Sequence, residues 1–285
     1  MRARRFAEAW DLSADALARR DLRERDNPAL PYHQRWVWDG RPFDEQDVLV
    51  RCYHGFGDTI QFARFLPALA DRAASVTVEM QPQLLPLFAH LREIVDLRPF
   101  DPAHPLPPAE CDLEICELAF ALRADPCCFP APYLPSEWRG GGGAIGLCHA
   151  AGGWDQARDM PADLLRPLCE EQAVVLLMPG ATGLPVLNPA GCPAAIVDTA
   201  ALIASLDLVI TVDTMVAHLA GAMGAPVWLM VKHEPDWRWD PEAEQSIWYA
   251  RTRQFVQPAP GDWAAVAGRI HGELGQARDR PANAV

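Results

Sequence analysis

The sequence predicts an α/β protein of two domains, each built on a parallel sheet. Three observations lead there. Short apolar, β-branched runs alternate with helical periodicity along most of the chain, the pattern of parallel strands joined by right-handed crossovers. The alternation occurs twice, before and after the glycine run Arg139–Ala144, "RGGGGA". With 285 residues, 50% of them apolar and 22% charged, the chain is long enough to bury two modest cores.

In order, residues 4–25 read as one helix, with Phe6, Trp10, Leu17 and Leu22 forming a loose apolar stripe. Pro28 and Pro31 then break it. "DVLVRCY", Asp47–Tyr53, is short and β-branched and reads as a buried strand. From Ile60 to Ala73 apolar residues at 62, 65, 66 and 69 mark one helical face, and Pro67 within it predicts a kink or a late start. "SVTVEM" is a second strand, "QLLPLFAHL" a weaker helix, and "EIVDL" and "CDLEIC" further strands. From Phe100 to Pro135 the chain is proline-rich and has no clear period. The glycine run reads as a linker: no Lys-Ser or Lys-Thr follows it and a strand comes next, so the mechanics of a phosphate loop are missing.

The second half repeats the scheme. "AIGLCHA", "AVVLLMPG", "DLVITVD" and "APVWLMV" are strands; "PADLLRPLCEE", "DTAALIASL" (with Asp198 as its cap), "TMVAHLAGAMG" and "GDWAAVAGRIHGEL" are helices. The expected division is a helix and connector over 1–34, a domain over 35–138, a linker over 139–143, a domain over 144–277 and a tail over 278–285. The two domains are expected to face each other across a cleft at the carboxyl ends of their strands, where open α/β sheets bind ligands.

Composition excludes several classes. A net charge of -13 argues against a nucleic-acid or anionic-membrane partner, although a local basic site for phosphate is compatible with it. No apolar stretch is long enough to span a bilayer, and the basic start lacks the apolar segment of a signal peptide. The eight cysteines include no CxxC pair, so they read as reduced structural thiols of a cytoplasmic protein, and no metal site is expected.

The sharpest chemical signal is "DLVITVDTMVAHLAGAMGAPVWLM". Asp213-Thr214 stands where a buried strand turns into a helix rich in small residues. The free amides of such a helix start form an anion site, to which Thr214 adds a hydroxyl; a diphosphate suits it. The alternative is an ordinary Asp or Thr cap. His218 lies one turn on, a ligand contact or a packed core histidine. In "YHGFGDTIQFARF" Asp58 follows Gly55 and Gly57 at another strand–helix junction, where it caps a helix or faces a substrate. Trp237 and Trp239, flanking Arg238, are either pocket walls or packing anchors.

In sequence order, Trp38-Asp39-Gly40, "GFGDTIQFARFLPAL", "IGL" at Ile145, the Asp198–Val231 block, "DWRW" at Asp236 and "WY" at Trp248 resemble a known family. It is the glycosyltransferase-type domain found behind tetratricopeptide repeats in bacterial proteins, related to the ADP-heptose–lipopolysaccharide heptosyltransferases. The resemblance covers roughly Arg35 to Leu274. It implies two facing Rossmann-like domains of the GT-B type and an inverting, metal-independent transfer from a nucleoside-diphosphate sugar, with no other cofactor. Asp58 matches the family's catalytic base, and Gly55 and Gly57 would let backbone approach the ligand. Asp213, Thr214 and His218 would meet the donor diphosphate, with Arg158 at the position of a basic phosphate ligand; a salt bridge from Arg158 to Asp155 or Asp159 is the alternative. The sequence departs from the family at His149, where Trp is expected, and at Val256, where Arg is common. It also lacks the repeat array, so a partner protein or another surface is expected to choose the acceptor, be it glycan, lipid or protein. A non-catalytic binding or scaffold protein and a nucleotide-sugar epimerase or hydrolase are the alternative functions.

Overall fold

The computed structural model describes residues 3–135, 138–153 and 155–279. The chain forms two compact units, Met1–Pro135 and Ser136–Val285.

The first unit opens with helix α1, Phe6–Leu17. Phe6 and Trp10 are buried, and the Trp10 indole N–H donates to the Ala124 carbonyl at 2.9 Å. The stripe ends there: Leu22 is exposed, and only a short 3₁₀ turn, Leu22–Glu24, follows where the longer helix was expected. The sheet consists of β1 (Asp47–Arg51), β2 (Ser75–Met80), β3 (Asp96–Pro99) and β4 (Cys111–Glu114), in the order β3-β2-β1-β4 with every pairing parallel. Between β1 and β2, α2 (Phe56–Phe62) relaxes through a 3₁₀ turn into α3 (Leu66–Ala70). Pro67 lies in the first turn of α3, where its missing N–H costs nothing. A further short helix, α4 (Leu118–Ala121), packs near α1 through Phe120, whose ring lies 5.9 Å from that of Trp10.

The helix expected over "QLLPLFAHL" does not form; turns and a 3₁₀ segment, Ala89–Glu93, replace it. Pro86 removes a donor and disfavours helix at Leu85, yet Leu84, Leu87, Phe88 and Leu91 are still buried. At the end of β1, Arg51 is buried with Glu79 of β2 at 3.1 Å and Asp112 of β4 at 3.8 Å, a pairing that holds three adjacent strands together through one guanidinium.

The second unit contains β5 (Ile145–Cys148), α5 (Arg166–Glu171), β6 (Val174–Leu176), α6 (Ile196–Ser205), β7 (Leu208–Val212), α7 (Met215–Ala222), β8 (Val227–Val231), β9 (Thr252–Val256) and α8 (Trp263–Asp279). Its sheet runs β6-β5-β7-β8-β9, again all parallel. Leu147, Ile210, Val212, Met230 and Phe255 from the sheet meet Val266 of α8 in the core. Strand β9 carries too many polar residues to be read from its sequence. Thr252 and Gln254 are both buried, and the Gln254 amide donates to the carbonyls of Asp240 and Ala243.

Two local expectations are corrected. Asp198 is not the cap of α6; that residue is Ala195, and Asp198 lies in the first turn, where its charge still favours the helix dipole. The glycine run is not a free linker: Gly140 and Gly142 donate to the carbonyls of Ala204 and Ser205, and Gly141 to the Asp207 carboxylate. Gly140, Gly141 and Gly143 have positive φ, so the run wraps the end of α6 inside the second unit. Among the described residues no helix is long and apolar enough to cross a membrane.

Gly221 of α7 faces the buried Tyr249 ring, and a Cβ there would meet Tyr249 Cγ at 2.5 Å. Gly221→Ala should lower stability by about 1–3 kcal/mol in urea unfolding. On α8 a Cβ at Gly272 would meet nothing within 4 Å, so Gly272→Ala should raise stability by about 0.5–1 kcal/mol.

Candidate functional site

The second sheet reverses its winding between β5 and β7: β6 lies on one side of β5, and β7, β8 and β9 follow on the other. In open parallel sheets the carboxyl ends of the two strands at such a reversal form the ligand crevice. Cys148 ends β5 there, and Asp213 and Thr214 follow β7.

Thr214 is the N-cap of α7, its backbone extended and its Oγ1 accepting from the Val216 N–H at 3.0 Å. The cap reading is therefore realised, yet a hydroxyl that accepts still has its own proton to donate. Cys148 Sγ lies 3.7 Å from that oxygen, and burial pushes the thiol up to about 11, so it stays neutral.

The Asp213 carbonyl accepts from Arg158 Nη1 at 3.1 Å, and its carboxylate lies 3.6 Å from the same nitrogen. The Asp213 side chain is only 13% exposed. Burial pushes its carboxyl above the usual range, against the pull of Arg158, the Trp239 indole N–H and Arg238, while Asp236 adds to the rise. The Trp239 indole nitrogen is buried near Asp213 but makes no hydrogen bond of good geometry. His218 is buried, its Nδ1 3.0 Å from the Tyr249 hydroxyl and its Nε2 3.9 Å from the Asp213 carboxylate. Its ring stacks on Trp239 at 5.6 Å. This surrounding makes His218 a brace for Asp213 within a buried aromatic cluster. Trp237, by contrast, is 37% exposed.

Arg158 ends a short 3₁₀ turn that Asp155 caps. The expected alternative partners divide: Asp155 lies 3.9 Å from Arg158 Nε, whereas Asp159 accepts from the Ala151 N–H. The Arg158 Nε–H is buried and makes no hydrogen bond among the described residues. Lys232, just beyond β8, donates to Asp155 at 2.7 Å, a bond that holds the Asp155 carboxyl below its usual range. Lys232 and Tyr249 were not singled out from sequence. Lys232 had a signal, being the sole lysine in the chain; Tyr249 had none beyond its place in "WY". His149 hydrogen-bonds with the Met160 carbonyl at 3.1 Å.

Arg158, Asp213, Thr214 and His218 thus come together in the second unit. Asp58, Gly55 and Gly57 belong to the first. Asp58 is the third residue of α2 and accepts from the Gly55 N–H at 3.1 Å, one half of a capping box. Gly55 has an ordinary negative φ; a Cβ there would crowd the Asp58 oxygen at 3.3 Å, so its lack of a side chain gives Asp58 room to fold back. Gly57 is the second residue of α2.

The structure of an ADP-heptose lipopolysaccharide heptosyltransferase II from E. coli superposes with a TM-score of 0.53 over 81% of this chain and 99% of that one, at 16% identity. The fold is that of the heptosyltransferases. A dodecameric iron-containing glycosyltransferase, TibC, from enterotoxigenic E. coli H10407 matches with a TM-score of 0.50 at 10% identity, covering 82% of this chain and 77% of that one. No protein-family model and no curated protein matches the sequence.

The folded protein holds the Asp213 proton to a higher pH than the 3.8 of a free side chain, so the contribution of Asp213 to stability shrinks as pH rises through that window. Arg158 offsets part of this loss. Arg158→Met should destabilise by about 1–3 kcal/mol at a high pH, at which Asp213 is charged, and by less at a low pH, at which it holds its proton. Urea midpoints at the two pH values check this; equal losses would show that Arg158 does not compensate Asp213.

Proposed function

We propose that the protein is a glycosyltransferase that moves a sugar from a nucleoside-diphosphate sugar to an acceptor hydroxyl on a glycan, lipid or protein. The observation that carries this reading is the cation pair at the winding reversal of the second sheet. The Arg158 Nε–H is buried without a hydrogen bond, 3.9 Å from an Asp155 oxygen that Lys232 shares, and Arg158 is held to Asp213, the residue before the Thr214 cap of α7. A diphosphate placed there would take the Arg158 fork, the Lys232 ammonium, the Thr214 hydroxyl and the amides of the first helical turn. Asp213 and His218 act behind this face, Asp213 holding Arg158 by its carbonyl and His218 supporting Asp213.

In the reaction, the acceptor oxygen attacks the anomeric carbon, the bond from that carbon to the diphosphate breaks, and configuration inverts. The acceptor proton passes to Asp58, a weak base in water that works here by position. Charge on the departing diphosphate is stabilised by fixed donors, each capable of several kcal/mol in a water-poor site, with no metal required at the phosphates. The fold shared with the ADP-heptose enzyme makes ADP sugars the first donors to try. A partner protein would supply acceptor choice.

A second reading, a binding or scaffold protein without catalysis, is favoured by the capping bond from Gly55 to Asp58, which gives the carboxylate a structural role of its own. Asp58→Asn separates the two, because an Asn oxygen still accepts from the Gly55 N–H while the base is lost. Transfer should vanish with nucleotide affinity and thermal midpoint unchanged; unaltered turnover would remove Asp58 as base. At about 100 times its dissociation constant, the correct nucleotide should add about 2.7 kcal/mol of stability. Thr214→Val and Arg158→Met should each reduce that gain; an undiminished gain in both would move the nucleotide elsewhere.

A further inference from the structure

The first sheet also reverses its winding, between β1 and β4, since β2 and β3 lie on one side of β1 and β4 on the other. Three residues of different chemistry meet at this reversal. His54 follows β1, Glu114 ends β4 in register with Arg51, and Cys116 lies in the 3₁₀ turn after β4. One ligand atom from each lies within 4.8 Å of the others, and His54 Nδ1 is 2.9 Å from Glu114 Oε1. Imidazole, carboxylate and thiol have in common an affinity for transition-metal dications. Bound at about 2.0–2.3 Å, their donor atoms would be held at separations of this order. The carboxylate is already oriented: Glu114 is buried, with Oε1 accepting from the Tyr53 N–H at 3.2 Å and Oε2 from the Cys116 N–H at 2.7 Å. Such outer hydrogen bonds are what fix a ligating carboxylate. His54 and Cys116 are partly exposed, which leaves a route for the ion and a fourth coordination position.

We propose that His54, Glu114 and Cys116 form a binding site for one divalent transition-metal ion of the zinc type. Binding replaces the Cys116 thiol proton with a metal–sulfur bond, and that proton leaves to solvent. The site ties the loop after β1 to the turn after β4. Because His54 directly precedes Gly55, whose N–H holds Asp58, an occupied site fixes the start of α2. This inference is independent of the glycosyl-transfer reading, in which the phosphates need no metal, and its test reads metal binding alone.

The full chain, stripped with a chelator and desalted, is titrated with Co²⁺. One equivalent should bind, with a near-ultraviolet thiolate-to-cobalt band that Zn²⁺ then abolishes. Cys116→Ser should remove the band and Cys127→Ser, at an exposed thiol, should leave it. His54→Gln should weaken binding by at least about tenfold, since even outer-shell losses cost that much. His54→Gln also decides the matter if Cys116→Ser does not fold. No thiolate band in the unaltered protein, a band that survives in folded Cys116→Ser, or unchanged affinity in His54→Gln would each overturn the assignment.

Discussion

Asp213 places a carboxylate at the buried end of the middle strand of the second sheet, and the surrounding residues answer to that cost. A desolvated carboxylate must be offset by nearby donors and cations or take up a proton. Here Arg158 lies against both its carbonyl and its side chain, Arg238 and Trp239 add weaker support, and His218 stands behind it. The compensation continues outward: Asp155 faces Arg158 and is itself bonded by Lys232. Negative and positive groups alternate from the end of β7 through the loop after β5 to the end of β8. Anchoring Arg158 to the carbonyl that follows β7 positions it in advance of any ligand, and such preorganisation makes a fixed donor effective against developing charge.

Both units gather their reactive side chains at the same topological place, although the chemistry differs. A parallel sheet sends all its strand ends one way, and where the winding reverses the following loops part and leave a crevice. In the second unit that crevice holds Arg158, Thr214 and the start of α7; in the first it holds His54, Glu114 and Cys116. Under the two proposals, one set takes an anion and the other a cation. The contrast follows from side chains placed on equivalent backbones, which is why a fold likeness by itself leaves the function of each crevice to its residues.

The sheets were legible in the sequence because buried parallel strands are continuous apolar runs: "SVTVEM" and "DLVITVD" need no partner to be recognised. Strand β9 was not legible, since its buried Gln254 depends on carbonyls in an irregular segment that no local period reveals. The Asp213–Thr214 junction was visible for the same reason as β7, but Tyr249 joins the site through His218 and Lys232 through Asp155, both tertiary contacts. The metal-ligand spacing rules assume ligands close in sequence, a condition the proposed cation site does not meet. His54 and Cys116 escape them because pairing of β1 with β4 brings together residues far apart in the chain.

Lys232 shows how much a single choice of cation can carry. Every other basic residue outside the histidines is Arg, so a lysine at this point is a departure from the habit of the whole chain. The two cations differ in what holds them. Arg158 is a planar fork held by the Asp213 carbonyl just after β7. Lys232 ends in a compact ammonium on a flexible stem, bonded to Asp155 Oδ2, the oxygen that also faces Arg158, and 27% exposed. Under the proposed reading, Arg158 sets where the diphosphate lies, and Lys232 can follow charge as it moves onto the leaving oxygen. An arginine at 232 would compete with Arg158 for Asp155 in two parallel bonds and stiffen the arrangement. On that reading, one fixed donor and one mobile one on a shared carboxylate would let the site bind the ground state without holding the departing product too tightly, the balance that differential stabilisation of a transition state requires.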